Sequence, residues 1–320
     1  CIGASSIKIV EVDAEGRITD RFLTYHDCNP KDALAGLIQE RDLSRGYVAV
    51  TGRKFKNLLS LPSITEPEAS EAALRHLEGN GRRFQALVSL GSENFIVYVL
   101  DGSRGIVQVK TGNKCASGTG EFFLQQIRRM GVDVDEAVDL ALSSEPHAVS
   151  GRCSVFCKSD CTHALNRGTP LGEVCSGLSE MMADKVLDLL HSTPREDIVL
   201  VGGVTRNASV VEKLRTRIRD LHVPEDAEYF EAWGAALHAL ENETRADGRV
   251  EVRQELSSFS PLPPLSEYAD WVEFKEDRTG VPRHGDVCIL GLDVGSTTTK
   301  AVLLRVEDDD RRHGRRAGGL

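Results

Sequence analysis

Two cysteines each precede a predicted helix, a position in which a thiolate is stabilised. Cys115 lies in the glycine-rich stretch Asn113–Gly120, after which apolar residues recur at helical spacing as far as Met130. Cys153 stands in the same way just before a second predicted helix. The unpaired N–H groups and the positive end of the dipole at a helix N-terminus stabilise a thiolate, and also an anionic cluster bound to it. Two such sites in one chain predict two ligands to a group that needs four.

The remaining cysteines do not suggest a disulfide framework. Eight cysteines in 320 residues are too sparse for a disulfide-stapled secreted protein, so metal ligands, reactive thiols and buried apolar side chains stay open. Cys157 and Cys161 follow Cys153 at successive intervals of four, which places them on one face of its helix. Since no matching His or Cys pair lies nearby, we favour core packing over a separate metal site. The same interpretation applies to Cys1, Cys28, Cys175 and Cys288.

Two glycine-bearing turns have residue types that contact nucleotides. Gly3-Ala4-Ser5-Ser6, followed by Lys8, is a small-residue turn of the kind that wraps a phosphate, although such turns are also common without a ligand. Gly202 and Gly203 end the buried strand Asp197–Val201 and precede Asn207. A glycine pair there lets the chain approach an adenosine or a phosphate closely, although it could serve only strand-to-helix packing.

The elements that must position these residues occur in a repeated order. The pattern predicts a first group of elements, namely a hairpin of Ile7–Asp13 and Arg17–Tyr25, helix Asp32–Arg41, strand Tyr47–Val50 and helix Pro67–Leu77. A strand and a hairpin then recur as Ala86–Leu90, Phe95–Leu100 and Ile106–Val109. Helix Gly172–Leu190, the strand that ends at Val201, a helix from Ala208 to Leu221 and helix Glu231–Glu241 follow the cysteine helices. The alternation predicts an α/β fold with two lobes.

Composition excludes several classes of protein. A net charge of −10 with dispersed basic residues argues against nucleic acid or an anionic membrane as the main partner. No apolar window approaches the roughly 20 residues that a membrane-spanning helix needs, and no secretory leader pattern opens the chain. We therefore expect a soluble, cytoplasmic protein.

The end of the sequence repeats its beginning. In the stretch Val287–Leu304, Gly295 aligns with Gly3, Thr298 with Ser6 and Lys300 with Lys8, each followed by an apolar strand. We interpret this stretch as the start of a second copy of the same domain. The predicted divisions are lobes at 1–82 and 83–245, a Pro-rich linker at 246–286 and the opening of the second copy at 287–320.

Four motifs stand in the order found in a known family. They are Asn113–Gly120, Cys153–Phe156, Gly202–Asn207 and Gly291–Lys300. Together they resemble the BadF/BadG/BcrA/BcrD ATPase family, the activators of 2-hydroxyacyl-CoA dehydratases and the ATPase subunits of benzoyl-CoA reductase. The match runs from about Gly3 to Leu240, and the repetition is similar to the two-repeat activases, of which this chain would carry the first repeat.

The resemblance implies a fold, cofactors and partners. The fold would be the two-lobed actin/hexokinase/Hsp70 (ribonuclease H-like) type, which clamps ATP. Cys115 and Cys153 would give two of the four thiolates of a 4Fe–4S cluster, and a second copy of the domain would give the others. ATP or ADP with Mg²⁺ would be bound by Gly3, Ser5, Ser6, Lys8, Gly91, Ser92, Gly202, Gly203 and Asn207. Nucleotide-driven closure would gate electrons from a ferredoxin or flavodoxin to a dehydratase or reductase component.

The chain departs from the family pattern at two carboxylates. The first phosphate motif carries an aspartate two residues before its glycine; Asp293 keeps it in the second copy, but Cys1 stands there in the first. Ser89 replaces the equivalent aspartate of the second motif. Because these carboxylates position metal and water, hydrolysis by this copy stays open. The alternative is a non-hydrolysing, nucleotide-binding regulatory or scaffolding repeat of the same fold; a sugar kinase is less well supported, since no catalytic-base aspartate is evident.

Overall fold

A computed structural model describes residues 1–43, 46–101, 105–112, 119–253, 265–273, 280–295 and 298–306. The chain divides into two units, Cys1–Glu255 and Leu256–Leu320. The strands of the first unit are β1 (Ser6–Val12), β2 (Ile18–Tyr25), β3 (Ala86–Leu90), β4 (Phe95–Leu100), β5 (Ile106–Thr111), β6 (Glu196–Val201) and β7 (Arg219–His222). Its α-helices are α1 (Pro30–Glu40), α2 (Glu66–Leu77), α3 (Gly120–Met130), α4 (Val134–Leu142), α5 (Ser154–Asn166), α6 (Leu171–Leu189), α7 (Ala208–Arg215) and α8 (Phe230–Glu241).

A five-stranded mixed sheet forms the centre of the larger part of this unit. Its order is β5-β4-β3-β6-β7, with β3 parallel to β6, β6 parallel to β7, and β3-β4-β5 antiparallel. All five residues of β3 are buried, because apolar side chains cover both faces of the sheet. The carboxyl ends of β3 and β6 therefore meet at one edge of the sheet, where open α/β sheets bind ligands.

The smaller part is built on the β1–β2 hairpin. Ile7 of β1 is buried with Leu34 and Leu37 of α1, in a core that also includes Val250. The predicted strand Tyr47–Val50 is absent from this described region: Val50 makes only an isolated bridge to Ser63. A continuous strand needs a partner along its whole edge, and the apolar run alone does not provide one.

Helices α2 and α8 cross at very close range and join the two parts. Helix α2 begins at a capping box, in which the Thr65 side chain accepts from the Glu68 N–H and the Glu68 carboxylate accepts from the Thr65 N–H. At the crossing, a Cβ added to Gly234 would overlap the carbonyl oxygen of Ala69. Glycine at this position thus allows the two backbones to touch.

One predicted helix is too long. The helix expected from Ala208 to Leu221 ends at Arg215, and Arg219–His222 forms the edge strand β7, parallel to β6. The pairing that makes β7 a strand is non-local, so local helical periodicity could not reveal it. The other predicted helices and strands of the first unit agree with the structure within a few residues.

The second unit contains an antiparallel hairpin of β8 (Cys288–Val294) and β9 (Thr299–Arg305). Its described residues share one strand pairing and one turn hydrogen bond with the start of the chain. Val294 pairs with Thr299 as Ile2 bridges to Ile7, and the Gly295 N–H donates to the Thr298 carbonyl at 3.0 Å as the Gly3 N–H does to Ser6 at 2.9 Å. The aligned positions thus share one turn hydrogen bond, whereas the second copy of the domain stays a prediction.

Candidate functional site

Two glycine turns of the first unit share one conformation. The Gly3 N–H donates to the Ser6 carbonyl at 2.9 Å, and the Gly91 N–H donates to the Asn94 carbonyl at 3.0 Å. Both turns connect two antiparallel strand segments, and each begins with a glycine and contains a serine. The first turn lies at the start of β1 and the second joins β3 to β4.

The two turns meet. The hydroxyl oxygens of Ser5 and Ser92 lie 2.6 Å apart, within hydrogen-bond distance. Beside them, the Lys54 ammonium pairs with the Glu93 carboxylate at 2.8 Å. The structure thus brings together the predicted phosphate residues of both parts of the unit, although they are far apart in sequence.

The third predicted motif lies next to the second turn. Gly202 has a φ of 96° and a ψ of 167°, and a Cβ there would lie 2.5 Å from the carbonyl oxygen of Leu90. This conformation is essentially open to glycine alone. Gly203 has no such restriction: its Cβ would lie 3.9 Å from the Lys8 ammonium, in ordinary contact. Lys8 and Gly203, both predicted nucleotide residues, therefore face each other.

The predicted nucleotide residues Asn207 and Ser6 differ, because only Asn207 has a buried side-chain atom without a hydrogen-bond partner among the described residues. The Asn207 side-chain oxygen caps α7 by accepting from the Val210 N–H at 3.2 Å, whereas its amide nitrogen is buried and has no hydrogen-bond partner within the described ranges. An orphaned buried donor of this kind is costly unless a ligand or water satisfies it. Ser6 is 8% exposed and serves the turn through its backbone.

Two glutamates that sequence reasoning did not select lie at the same site. The Ser89 hydroxyl donates to the Glu231 carboxylate at 2.7 Å. Glu66 accepts the Arg53 backbone N–H at 3.1 Å and pairs with the Arg53 guanidinium at 3.4 Å. Burial, and then the charge of Glu231, raise the pKa of Glu66. Both carboxylates come from the first turns of helices, where glutamate is ordinary, so no sequence signal marked them.

A histidine also supports the first turn and was not predicted. His26 is 4% exposed, and its Nε2 lies 3.1 Å from the Gly3 carbonyl oxygen. Because a carbonyl oxygen only accepts, Nε2 carries the hydrogen in this contact. The other ring nitrogen is buried without a partner in the part of the chain that the structure describes. His26, which directly follows β2, thus fixes the start of the turn at the open end of the β1–β2 hairpin.

Helix α3 is hydrogen-bonded directly to the second turn. The Gly120 N–H donates to the Gly91 carbonyl at 3.2 Å, and the Glu121 N–H donates to the Ser92 carbonyl at 3.0 Å. Gly120 is needed here, since a Cβ would lie 2.8 Å from the Val204 side chain. Cys115, predicted as a cluster ligand, lies outside the described residues, five positions before this contact.

The second predicted ligand is described. Cys153 is the half-buried N-cap residue of α5, and no side-chain capping bond occupies its thiol. The preceding loop is held in place because the Ser150 N–H donates to the Asp160 carboxylate of α5 at 2.9 Å. Val155 and Phe156, at the start of the helix, are 69% and 65% exposed. A thiol at a helix N-terminus fits the donor set of an iron–sulfur cluster.

The other thiols divide by burial. Cys157 and Cys161 are buried as predicted, and the hydrogen bond that the Cys161 thiol shares with Cys157, together with burial, raises the pKa of Cys161. Burial raises the pKa of Cys175 to about 11. Cys28, in contrast, is exposed, so the interpretation as a buried thiol is wrong there. Among the described residues, no group of three or more metal-ligating side chains occurs.

Comparison with known proteins identifies the class. The model of the BadF/BadG/BcrA/BcrD ATPase family matches residues 71–239, more than half of the chain. The solved activator of 2-hydroxyisocaproyl-CoA dehydratase from Clostridium difficile, with bound ADPNP, superposes with a TM-score of 0.65 at 23% identity, over 75% of this chain and 92% of that one. The fold is therefore the two-lobed, actin-like ATPase fold. The chain belongs to the BadF/BadG/BcrA/BcrD ATPase family.

Two relatives illustrate the degree of sequence similarity. The 2-hydroxyisocaproyl-CoA dehydratase activator of Clostridioides difficile is 26% identical over 169 residues, which cover 52% of this chain and 64% of that protein. The activator of lactoyl-CoA dehydratase of Anaerotignum propionicum is 29% identical over 160 residues, 49% of this chain and 62% of that protein. The chain thus spans less than two thirds of the length of each. No helix within the described ranges has the length and apolar character to cross a membrane.

Proposed function

We propose that the chain is an ATP-binding, iron–sulfur activator that passes low-potential electrons to a 2-hydroxyacyl-CoA dehydratase or a benzoyl-CoA reductase-type partner in the cytoplasm. The observation that carries the proposal is the meeting of the two phosphate turns at Ser5 and Ser92, 2.6 Å apart. Its two relatives that activate dehydratases support the choice of partner.

The nucleotide part rests on the turns and on the glycine pair. The small residues of the Gly3 and Gly91 turns allow close approach of a phosphate to the backbone, and Lys8 adds a positive charge. The unsatisfied amide of Asn207 suits the adenosine end. Mg²⁺, when bound with the nucleotide, would neutralise phosphate charge, and the serine hydroxyls and nearby carboxylates are the oxygen ligands that it prefers.

The electron-transfer part rests on the cysteines and on their connection to the turn. Cys115 and Cys153 would bind a 4Fe–4S cluster, with two further thiolates from a second copy of the domain. Such a cluster, when present, would accept one electron from a ferredoxin or flavodoxin. Because α3 is hydrogen-bonded to Gly91 and Ser92, a movement of the phosphate turn would be transmitted to α3, which begins five residues after Cys115. Nucleotide-dependent closure would thereby gate the transfer.

Anaerobic reconstitution tests the cluster. The chain is incubated with ferrous iron and sulfide, and iron content, absorbance and electron paramagnetic resonance are measured together with the mass in solution. We expect one four-iron cluster for two domain copies, lost in Cys115→Ala and in Cys153→Ala. Cys28→Ser, which changes an exposed thiol, is the matched control and should load normally. Failure of the wild type to load, or normal loading of Cys115→Ala, would contradict the proposal.

One observation favours a second candidate, a non-hydrolysing regulatory or scaffolding repeat. Ser89 stands where the family pattern expects an aspartate, and its hydroxyl cannot replace a carboxylate charge. ATP turnover by the reconstituted chain separates the two candidates. Nucleotide binding without phosphate release would support the scaffold, whereas turnover that depends on Mg²⁺ would exclude it.

A further inference from the structure

A glutamate from a distant element stands beside the position where the second phosphate turn lacks its expected aspartate. Ser89 precedes Gly91 by two residues, and its hydroxyl donates to the Glu231 carboxylate at 2.7 Å. We propose that Glu231, oriented by Ser89, supplies the carboxylate that holds the magnesium ion of a bound magnesium–nucleotide complex. This inference rests on the nucleotide binding proposed above and assigns to α8 a role that the sequence motif gives to β3.

The surrounding helix holds the Glu231 side chain in place. Glu231 lies in the first turn of α8, whose backbone contacts α2 at Gly234. One residue before that contact, the Trp233 indole N–H donates to the Gly16 carbonyl at 2.9 Å. The packing of α8 and the hydrogen bond from Ser89 both restrict the Glu231 carboxylate. A carboxylate held in this way is pre-organised, as a metal ligand must be.

The electrostatic environment of the two glutamates suits a further cation. The Ser89 hydroxyl is a neutral partner of Glu231, whereas Glu66 is paired with Arg53. Burial and the charge of Glu231 raise the pKa of Glu66, and burial together with the charges of both glutamates raises the pKa of the Tyr98 phenol. Two carboxylates of like charge that converge on a partly buried site repel each other. A divalent cation with oxygen ligands relieves that repulsion.

Two orphaned polar groups belong to segments that adjoin the predicted nucleotide residues. The Thr51 hydroxyl is fully buried and has no hydrogen-bond partner in the described part of the chain, while the Thr51 carbonyl accepts the Ile2 N–H beside the first turn at 2.9 Å. The Asn207 amide nitrogen is the second such group. Buried polar groups without partners are rare in a native structure, and a bound nucleotide or its water would satisfy these two.

A purely structural role for Glu231 makes a different prediction. If the bond to Ser89 serves only to join β3 to α8, its loss lowers stability and affects nucleotide binding equally with and without metal. If Glu231 holds magnesium, its loss weakens only the metal-dependent binding. The metal dependence of nucleotide affinity therefore separates the two roles.

The test measures ATP affinity of the whole chain by calorimetry, with Mg²⁺ and with EDTA. Glu231→Gln should weaken binding in Mg²⁺ by roughly ten- to hundredfold, the usual cost of disturbing a metal's carboxylate environment. Binding in EDTA should stay within about twofold. Glu241→Gln, at the exposed far end of the same helix, makes the same charge change and should alter neither affinity. Thermal unfolding of each variant checks that the fold is retained.

A second variant returns the carboxylate to the motif position. Ser89→Asp combined with Glu231→Gln should regain most of the magnesium-dependent affinity, and bound Mn²⁺, followed by paramagnetic resonance, should return with it. An equal loss for Glu231→Gln in Mg²⁺ and EDTA, or no loss at all, overturns the assignment of Glu231 while leaving the proposed function intact. Absence of ATP binding by the wild-type chain would overturn both.

Discussion

The carboxylate of Glu66 is held in an environment that disfavours its charge. Burial and the nearby Glu231 raise its pKa above the usual 4.5, despite the pairing with Arg53. A raised pKa means that the folded state prefers the protonated acid, so this group lowers the free energy of unfolding as the pH rises through and above 4.5. The penalty is absent at lower pH, where the group is protonated in both states.

Replacing Glu66 with glutamine should therefore change the pH dependence of stability in a defined direction. Relative to the wild type, Glu66→Gln should become progressively more stable between about pH 4 and pH 7, as measured by urea unfolding at several pH values. Glu68→Gln is the matched control, and we expect its stability relative to the wild type to change with pH in the opposite direction. Hydrogen bonds from the Thr65 backbone and hydroxyl lower the pKa of Glu68, so its stabilising effect is present at neutral pH and is lost as the pH falls through the folded pKa. Parallel slopes for both variants would contradict this account.

The adjacent glycines 202 and 203 have different requirements, which gives a second test at the residue scale. Gly202→Ala must place a Cβ 2.5 Å from the Leu90 carbonyl at a φ of 96°, so we expect a loss of about 1–3 kcal/mol or more in the free energy of unfolding. Gly203→Ala meets only ordinary contacts, the nearest at 3.7 Å, and should fold normally. If Gly203 faces the nucleotide, its alanine variant should still weaken ATP binding, measured by calorimetry. Equal stability of the two variants would show that the turn is not constrained in this way.

At the scale of elements, the crossing of α2 and α8 depends on one glycine. Gly234→Ala would push the Ala69 backbone away. Because the added methyl group meets backbone atoms and no flexible side chain that could move aside, we expect the free energy of unfolding to fall by about 3 kcal/mol or more. Gly36→Ala on α1, where no atom lies within 4 Å of the added Cβ, should instead stabilise by about 0.5–1 kcal/mol. Thermal unfolding measures both, and a mild effect of Gly234→Ala would show that the helices can separate without cost.

The secondary-structure elements also show which parts of the fold and the site could be predicted from the sequence. Strands β3, β4 and β6 were predictable, because alternation or a short buried apolar run bounded by glycine is a local signal. Strand β7 was not, since it is defined by its pairing with β6. The two glycine turns, whose role in phosphate binding stays a prediction, were recognisable from small residues, whereas Glu66 and Glu231 come together only through the packing of two helices.

At the scale of the whole molecule, one sequence pattern is found in two environments. Ile2, just before the first glycine turn, is 2% exposed within an apolar core, whereas Val294, which aligns with it in the second unit, is 77% exposed. In the second unit, Leu290 pairs with Leu303 across the β8–β9 hairpin, yet these side chains are 59% and 50% exposed. An apolar hairpin that is open to water is prone to association with other molecules.

Polar substitution of this hairpin should therefore reduce self-association without affecting the first unit. We expect Leu290→Ser with Leu303→Ser to lower light scattering and the binding of an apolar dye, and to leave the unfolding transition of residues 1–255 unchanged. Lys300→Ser, which changes a polar side chain of the same strand β9, is the control. We expect it to lower neither the light scattering nor the dye binding. Since the first unit has its own apolar cores, a fall in its unfolding temperature in the double variant would mean that the hairpin stabilises it. Unchanged scattering would mean that the exposed leucines do not drive association.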